Sequence, residues 1–119
     1  MKGAKSCTFI DECSECIDII KKNLIKTKLF PLAIIKKGDA ISLLKTVNGP
    51  FDIIFLDPPY KSLLYKEIAE IILKYHLLAE NGIIVVESDF FDVLDGFNGL
   101  FKVKQKKYGN IYVTYFKEN

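Results

Sequence analysis

Strand-length apolar runs alternate with segments of helical period along most of this chain, and that alternation restricts the fold more than any other feature. "SCTFID" (6–11) reads as a short buried strand. "SECIDIIKKNLIKT" (14–27) reads as a helix with Ser14 as N-cap and with Cys16, Ile17, Ile20 and Leu24 on one face. Strand "LAIIKKGD" (32–39), a short helix "AISLLKTV" (40–47), strand "FDIIFLD" (51–57) and a longer helix "LLYKEIAEIILKYHLL" (63–78) follow. Glu80-Asn81-Gly82 turns the chain into strand "GIIVVES" (82–88), after which "DFFDVLDGFNG" reads as a poor helix and a loop. The last strands, "LFKVKQKKYG" and "IYVTYFKE", reverse at Gly109-Asn110. Strands joined by helical crossovers and rich in Ile, Val, Leu and Phe imply a mostly parallel sheet covered on both faces, with a C-terminal antiparallel hairpin at its far edge. At 119 residues, half of them hydrophobic, the expectation is one α/β domain over 1–119.

Several function classes drop out on composition. No apolar run approaches the roughly eighteen residues of a membrane span, and "MKGAKS" has no signal-like apolar region, so a soluble cytoplasmic protein is expected. The net charge of +2 does not by itself announce a nucleic-acid partner, although all 17 basic residues are lysine. Cys7, Cys13 and Cys16 include one Cys-x-x-Cys, but His76 is the one further soft ligand in the chain, so packing or free thiols are expected and no metal. Lys102, Lys104 and Lys106 alternate and so share a strand face. Together with Lys107 they suit either RNA phosphates or protection of an edge strand, and edge protection is the preferred reading.

The chemistry gathers at strand ends. In an open parallel sheet ligands bind beyond the carboxyl ends of the strands, and here those ends read Asp11, Asp39, Asp57 and Glu87. A carboxylate such as Asp11 at a strand tip can accept both hydrogens of a ribose diol. Asp39 suits either cofactor binding or capping of the helix that starts at Ala40. Asp57 is followed by Pro58, Pro59 and Tyr60. Consecutive prolines fix the backbone and remove its N–H groups, which leaves a rigid pocket of acceptors. Such a pocket matches the exocyclic amine of a nucleobase: the Asp57 side chain and the Pro58 carbonyl accept its two hydrogens, and the nitrogen lone pair is left aimed at an electrophile. Tyr60 offers a flat face for a base drawn out of its stack.

"DPPY" after an apolar strand resembles the signature of S-adenosylmethionine-dependent amino-methyltransferases acting on adenine N6, cytosine N4 and guanine N2. "GAKSCTFID", "GDA", "FDIIFLDPPY", "NGIIVVES" and "KKYGNIYVTYF" together are similar to the RsmD-like family, which methylates guanine N2 in small-subunit (16S) ribosomal RNA. The resemblance covers essentially the whole chain. It implies a Rossmann-like sheet, S-adenosylmethionine as methyl donor, and ribosomal RNA or a small-subunit assembly intermediate as partner. It also implies ribose contacts at Asp11, adenine contacts at Asp39 and Ala40, and target guanine contacts from Asp57 to Tyr60. The seven glycines contain no G-x-G, and five residues precede the first strand. The chain thus reads as a member lacking the N-terminal strand and Gly-rich loop, and weak cofactor binding and self-association through unpaired strand edges are expected of it. An adenine-N6 enzyme and a non-catalytic RNA- or partner-binding module are the rival readings.

Overall fold

The structure, a computed structural model, describes residues 5–56, 62–94 and 97–118. They form two compact units, the first ending at Thr46 and the second beginning at Val47. The elements follow the expected alternation: β1 (Cys7–Asp11), α1 (Ser14–Lys26), β2 (Ala33–Lys37), α2 (Ala40–Leu44), β3 (Phe51–Leu56), α3 (Ser62–Lys74), β4 (Leu78–Ser88), β5 (Leu100–Tyr108) and β6 (Ile111–Glu118).

In the first unit β1 and β2 pair in parallel, from Cys7 opposite Ala33 to Asp11 opposite Lys37, with α1 as the crossover. The N-cap of α1 is Cys13 rather than Ser14: Cys13 is the extended residue, and its sulfur accepts the Cys16 N–H at 3.1 Å. Ile17 and Leu24, two turns apart, are the buried residues of α1, whereas Cys16, expected on the same face, is exposed. The helix closes through Lys28 in left-handed backbone, which lets Leu29 N–H reach the Leu24 carbonyl at 2.9 Å. A shorter α2 than expected ends where the Thr46 hydroxyl donates to the Leu43 carbonyl at 2.7 Å.

In the second unit the strands lie in the order β3-β4-β6-β5. β3 pairs in parallel with β4, and β6 runs antiparallel to both β4 and β5, so the sheet is mixed. His76, in left-handed backbone, ends α3, with Leu77 N–H on the Ile72 carbonyl at 2.9 Å, which gives this histidine a structural position. β4 begins four residues earlier than the sequence suggests. Phe51 faces Leu78 and Ile53 faces Ile83, so Glu80-Asn81-Gly82 forms an irregularity inside the strand, with Asn81 at φ 64°, rather than a turn before it.

Ile84, Val86 and Ser88 alternate along one face of β4 and are buried, together with Thr114 and Phe116 of β6. Tyr65, Ile68, Ala69 and Ile72 of α3 and Val93 and Leu94 of the turn after β4 contribute further buried side chains. The opposite face is open at β3, where Ile53 is 68% and Phe55 58% exposed. Cover on both faces, expected from the apolar run, is therefore not what β3 shows. A second correction concerns the lysine row. A bulge between Lys102 and Lys104 shifts the register, so Lys102 faces Phe116 and Lys107 faces Tyr112, while Lys104 and Lys106 face Tyr115 and Val113 on the other side.

Candidate functional site

The carboxyl end of the β1–β2 pair brings Asp11, Asp39 and Ala40 together. Gly38 N–H donates to the Asp11 carbonyl at 2.9 Å, which ties the end of β1 to the residue before Asp39. Gly38 has φ 149°, and a Cβ there would lie 3.2 Å from Leu43 Cδ1, so both backbone and space favour glycine at this junction. Asp11, half-buried, accepts the Cys13 N–H on Oδ1 at 3.0 Å. Asp39 is the N-cap of α2 and accepts both the Ser42 N–H (2.9 Å) and the Ser42 hydroxyl (3.0 Å) on Oδ2. Capping by Asp39 is thus present in the fold. Each carboxylate uses one oxygen in these bonds, and among the described residues the other oxygen of each carries no hydrogen bond. The remaining oxygen of each is an acceptor of the kind a hydroxyl or an amine donates to.

In the second unit β3 ends at Leu56, opposite Val86 of β4. The candidate residues Asp57, Pro58, Pro59 and Tyr60 follow directly in the chain and lie outside the described residues. Tyr65, 4% exposed, donates its hydroxyl to the Glu87 carbonyl at 2.7 Å and packs edge-on to Phe90, with ring centroids 5.8 Å apart. This bond ties α3 to the end of β4. Glu87 itself is half-buried next to the last β4 residue, Ser88. Sequence reading missed Tyr65 because a tyrosine on an apolar helix face reads as core.

Two thiols are perturbed. Burial pushes the Cys7 thiol up, and the hydrogen bond with Cys13 holds the exposed Cys16 thiol up at about 11. A thiol so raised stays protonated and weakly nucleophilic at neutral pH. Among the described residues no group of three or more His, Cys, Asp or Glu could hold a metal ion.

A second feature was not visible in sequence. Phe91, 58% exposed, meets Tyr112 edge-on at 5.7 Å and 85°. The Lys102 ammonium lies 5.0 Å over Phe91, and that of Lys107 lies 5.5 Å over Tyr112.

Residues 1–117 match the family model described as Conserved hypothetical protein 95. Ribosomal RNA small subunit methyltransferase D of Buchnera aphidicola subsp. Baizongia pistaciae is 36% identical over 86 residues, which is 72% of this chain and 43% of the relative. YlbH of Bacillus subtilis (strain 168), named as a candidate rRNA methyltransferase, is 32% identical over 122 residues, or 98% of this chain and 66% of the relative. The chain thus spans 43% and 66% of these two relatives' lengths. Among solved structures, a conserved hypothetical protein of Streptococcus pyogenes superposes with TM-score 0.87 at 26% identity, over 97% of this chain and 72% of that one. The S-adenosylhomocysteine-bound methyltransferase PaMTH1 of Podospora anserina gives TM-score 0.75 at 17% identity, over 96% and 61%, a likeness of fold. The fold is that of Rossmann-like methyltransferases.

Proposed function

This chain belongs to the Conserved hypothetical protein 95 family, the RsmD-like methyltransferases, and on that premise we propose that it serves S-adenosylmethionine-dependent methyl transfer to guanine N2 of small-subunit (16S) ribosomal RNA. The observation that carries the reading is the family match over residues 1–117, which includes the "DPPY" that follows β3. Asp11 is assigned to the ribose hydroxyls, and Asp39 with Ala40 to the adenine, through the oxygens that the local bonds leave over. When bound, S-adenosylmethionine supplies an electrophilic sulfonium methyl group. Asp57 and the Pro58 carbonyl accept the two hydrogens of the guanine amine, Pro59 stiffens the turn, and the flipped base rests on Tyr60. The amine so oriented would accept that methyl group and would release its extra proton to solvent. Pre-orientation of the amine is the protein's contribution to rate.

The partner in this reading is ribosomal RNA, free or in a small-subunit assembly intermediate, and the setting is the cytoplasm. No helix among the described residues is long and apolar enough to cross a membrane. Exposed Ile53 and Phe55 on the edge strand β3 favour self-association as well. The test is transfer of labelled methyl groups to 16S ribosomal RNA against duplex DNA, with the product nucleoside identified. N2-methylguanosine in the RNA supports the proposal; methylated adenine in DNA assigns the chain to another amino-methyltransferase class. RNA binding with no transfer assigns it to a binding module.

A further inference from the structure

We propose that the cluster formed by Phe91, Tyr112, Lys102 and Lys107 is a docking surface for single-stranded RNA beside the target nucleotide. The inference rests on RNA being the substrate. Phe91 lies in the turn after β4, yet its backbone is anchored: Gln105 Nε2 donates to the Phe91 carbonyl at 2.7 Å and to Thr114 Oγ1 at 2.9 Å. A ring 58% exposed on an anchored backbone is presented to solvent in a fixed place. Stacking of a base on such a ring is tolerant of sequence, and the Lys107 ammonium suits a neighbouring phosphate. The Lys107 stem is long, so its ammonium can swing from the Tyr112 ring to a phosphate while its methylenes keep the contact.

Position within the second unit supports the same assignment. Tyr112 pairs with Ser88, the last residue of β4, and Val86 pairs with Leu56, the last residue of β3. The cluster therefore borders the sheet end from which the chain leaves for positions 57–60.

The test is fluorescence anisotropy of the 119-residue chain with a short unstructured oligouridylate, with circular dichroism as the fold control. Phe91→Ala should weaken binding by about fivefold or more, and Phe91→Tyr should retain it. Lys107→Ala should lower the slope of log affinity against log salt by about one. Unchanged affinity in both Phe91→Ala and Lys107→Ala overturns the proposal, as does an altered oligomeric state in Phe91→Ala with RNA affinity intact. The result separates from that of the methylation assay. Binding that depends on Phe91 upholds this surface whether or not methyl transfer is found, whereas methyl transfer with RNA binding indifferent to Phe91 overturns it and leaves the proposed activity standing.

Discussion

Replacing Tyr65 by Phe removes one oxygen and leaves the packing in place. The hydroxyl is part of a residue only 4% exposed, and its bond to the Glu87 carbonyl is short, at 2.7 Å. A net hydrogen bond contributes about 0.5–1.5 kcal/mol, and a part-buried acceptor left without it adds part of a desolvation cost, so the expected loss is about 1–2 kcal/mol. The edge-on contact with Phe90 at 5.8 Å survives in Tyr65→Phe and is lost in Tyr65→Ala. The alanine variant should therefore cost about 3–5 kcal/mol, as buried aromatic truncations do. Thermal unfolding reads the first change as a drop of about 3–5 °C for each kcal/mol in a domain of this size. If Tyr65→Phe unfolds within experimental error of the wild type, the hydroxyl does not fix α3 to the end of β4.

Three further outcomes are expected. Asp39→Ala should lower stability by about 0.5–1 kcal/mol in urea denaturation, the low end for an exposed cap, while Asp39→Asn keeps the cap and, in a chimera with the part of YlbH outside the match, weakens S-adenosylhomocysteine in calorimetric titration. Equal affinity in wild type and Asp39→Asn would reduce Asp39 to a cap alone. Tyr60→Phe should leave kcat/KM for RNA methylation nearly unchanged and Tyr60→Ala should cost about 1–3 kcal/mol; equal damage from both would give the role to the hydroxyl instead of the ring face. Cys16, held at about 11 by Cys13, should be alkylated by iodoacetamide slowly at neutral pH and faster as pH approaches that value. Mass spectrometry should also find Cys16 labelled faster in Cys13→Ala, and no acceleration there would contradict the hydrogen bond as cause.

Element order was legible because periods of two and 3.6 are written into the apolar residues themselves. Local backbone choices were less so. Glu80-Asn81-Gly82 has turn chemistry, but Asn81 takes its positive φ inside β4, where the irregular register with β3 accommodates it. The alternation of Lys102, Lys104 and Lys106 predicts one face only if the pleat is unbroken, and the register shift between Lys102 and Lys104 breaks it. The apolar run in β3 suggested burial on both faces, yet Ile53 and Phe55 face outward. At the site, Asp11 and Asp39 could be picked out as strand-end carboxylates, and the Gly38–Asp11 backbone bond joins them. Their own local bonds, to Cys13 and Ser42, depend on loop geometry that residue types do not specify. The Phe91–Tyr112 pair was invisible for a different reason: strand pairing brings together rings that lie far apart in the chain.

Product analysis after methyl transfer in vitro tests the central claim most directly. A chimera joins this chain to the part of YlbH outside the match, and wild type and Asp57→Ala are incubated with 16S ribosomal RNA and labelled S-adenosylmethionine. The account predicts N2-methylguanosine from the wild-type chimera and a rate lower by about two orders of magnitude or more in Asp57→Ala, since an acceptor that orients the amine in the transition state is gone. Near wild-type turnover by Asp57→Ala, or label recovered in adenine, would contradict it.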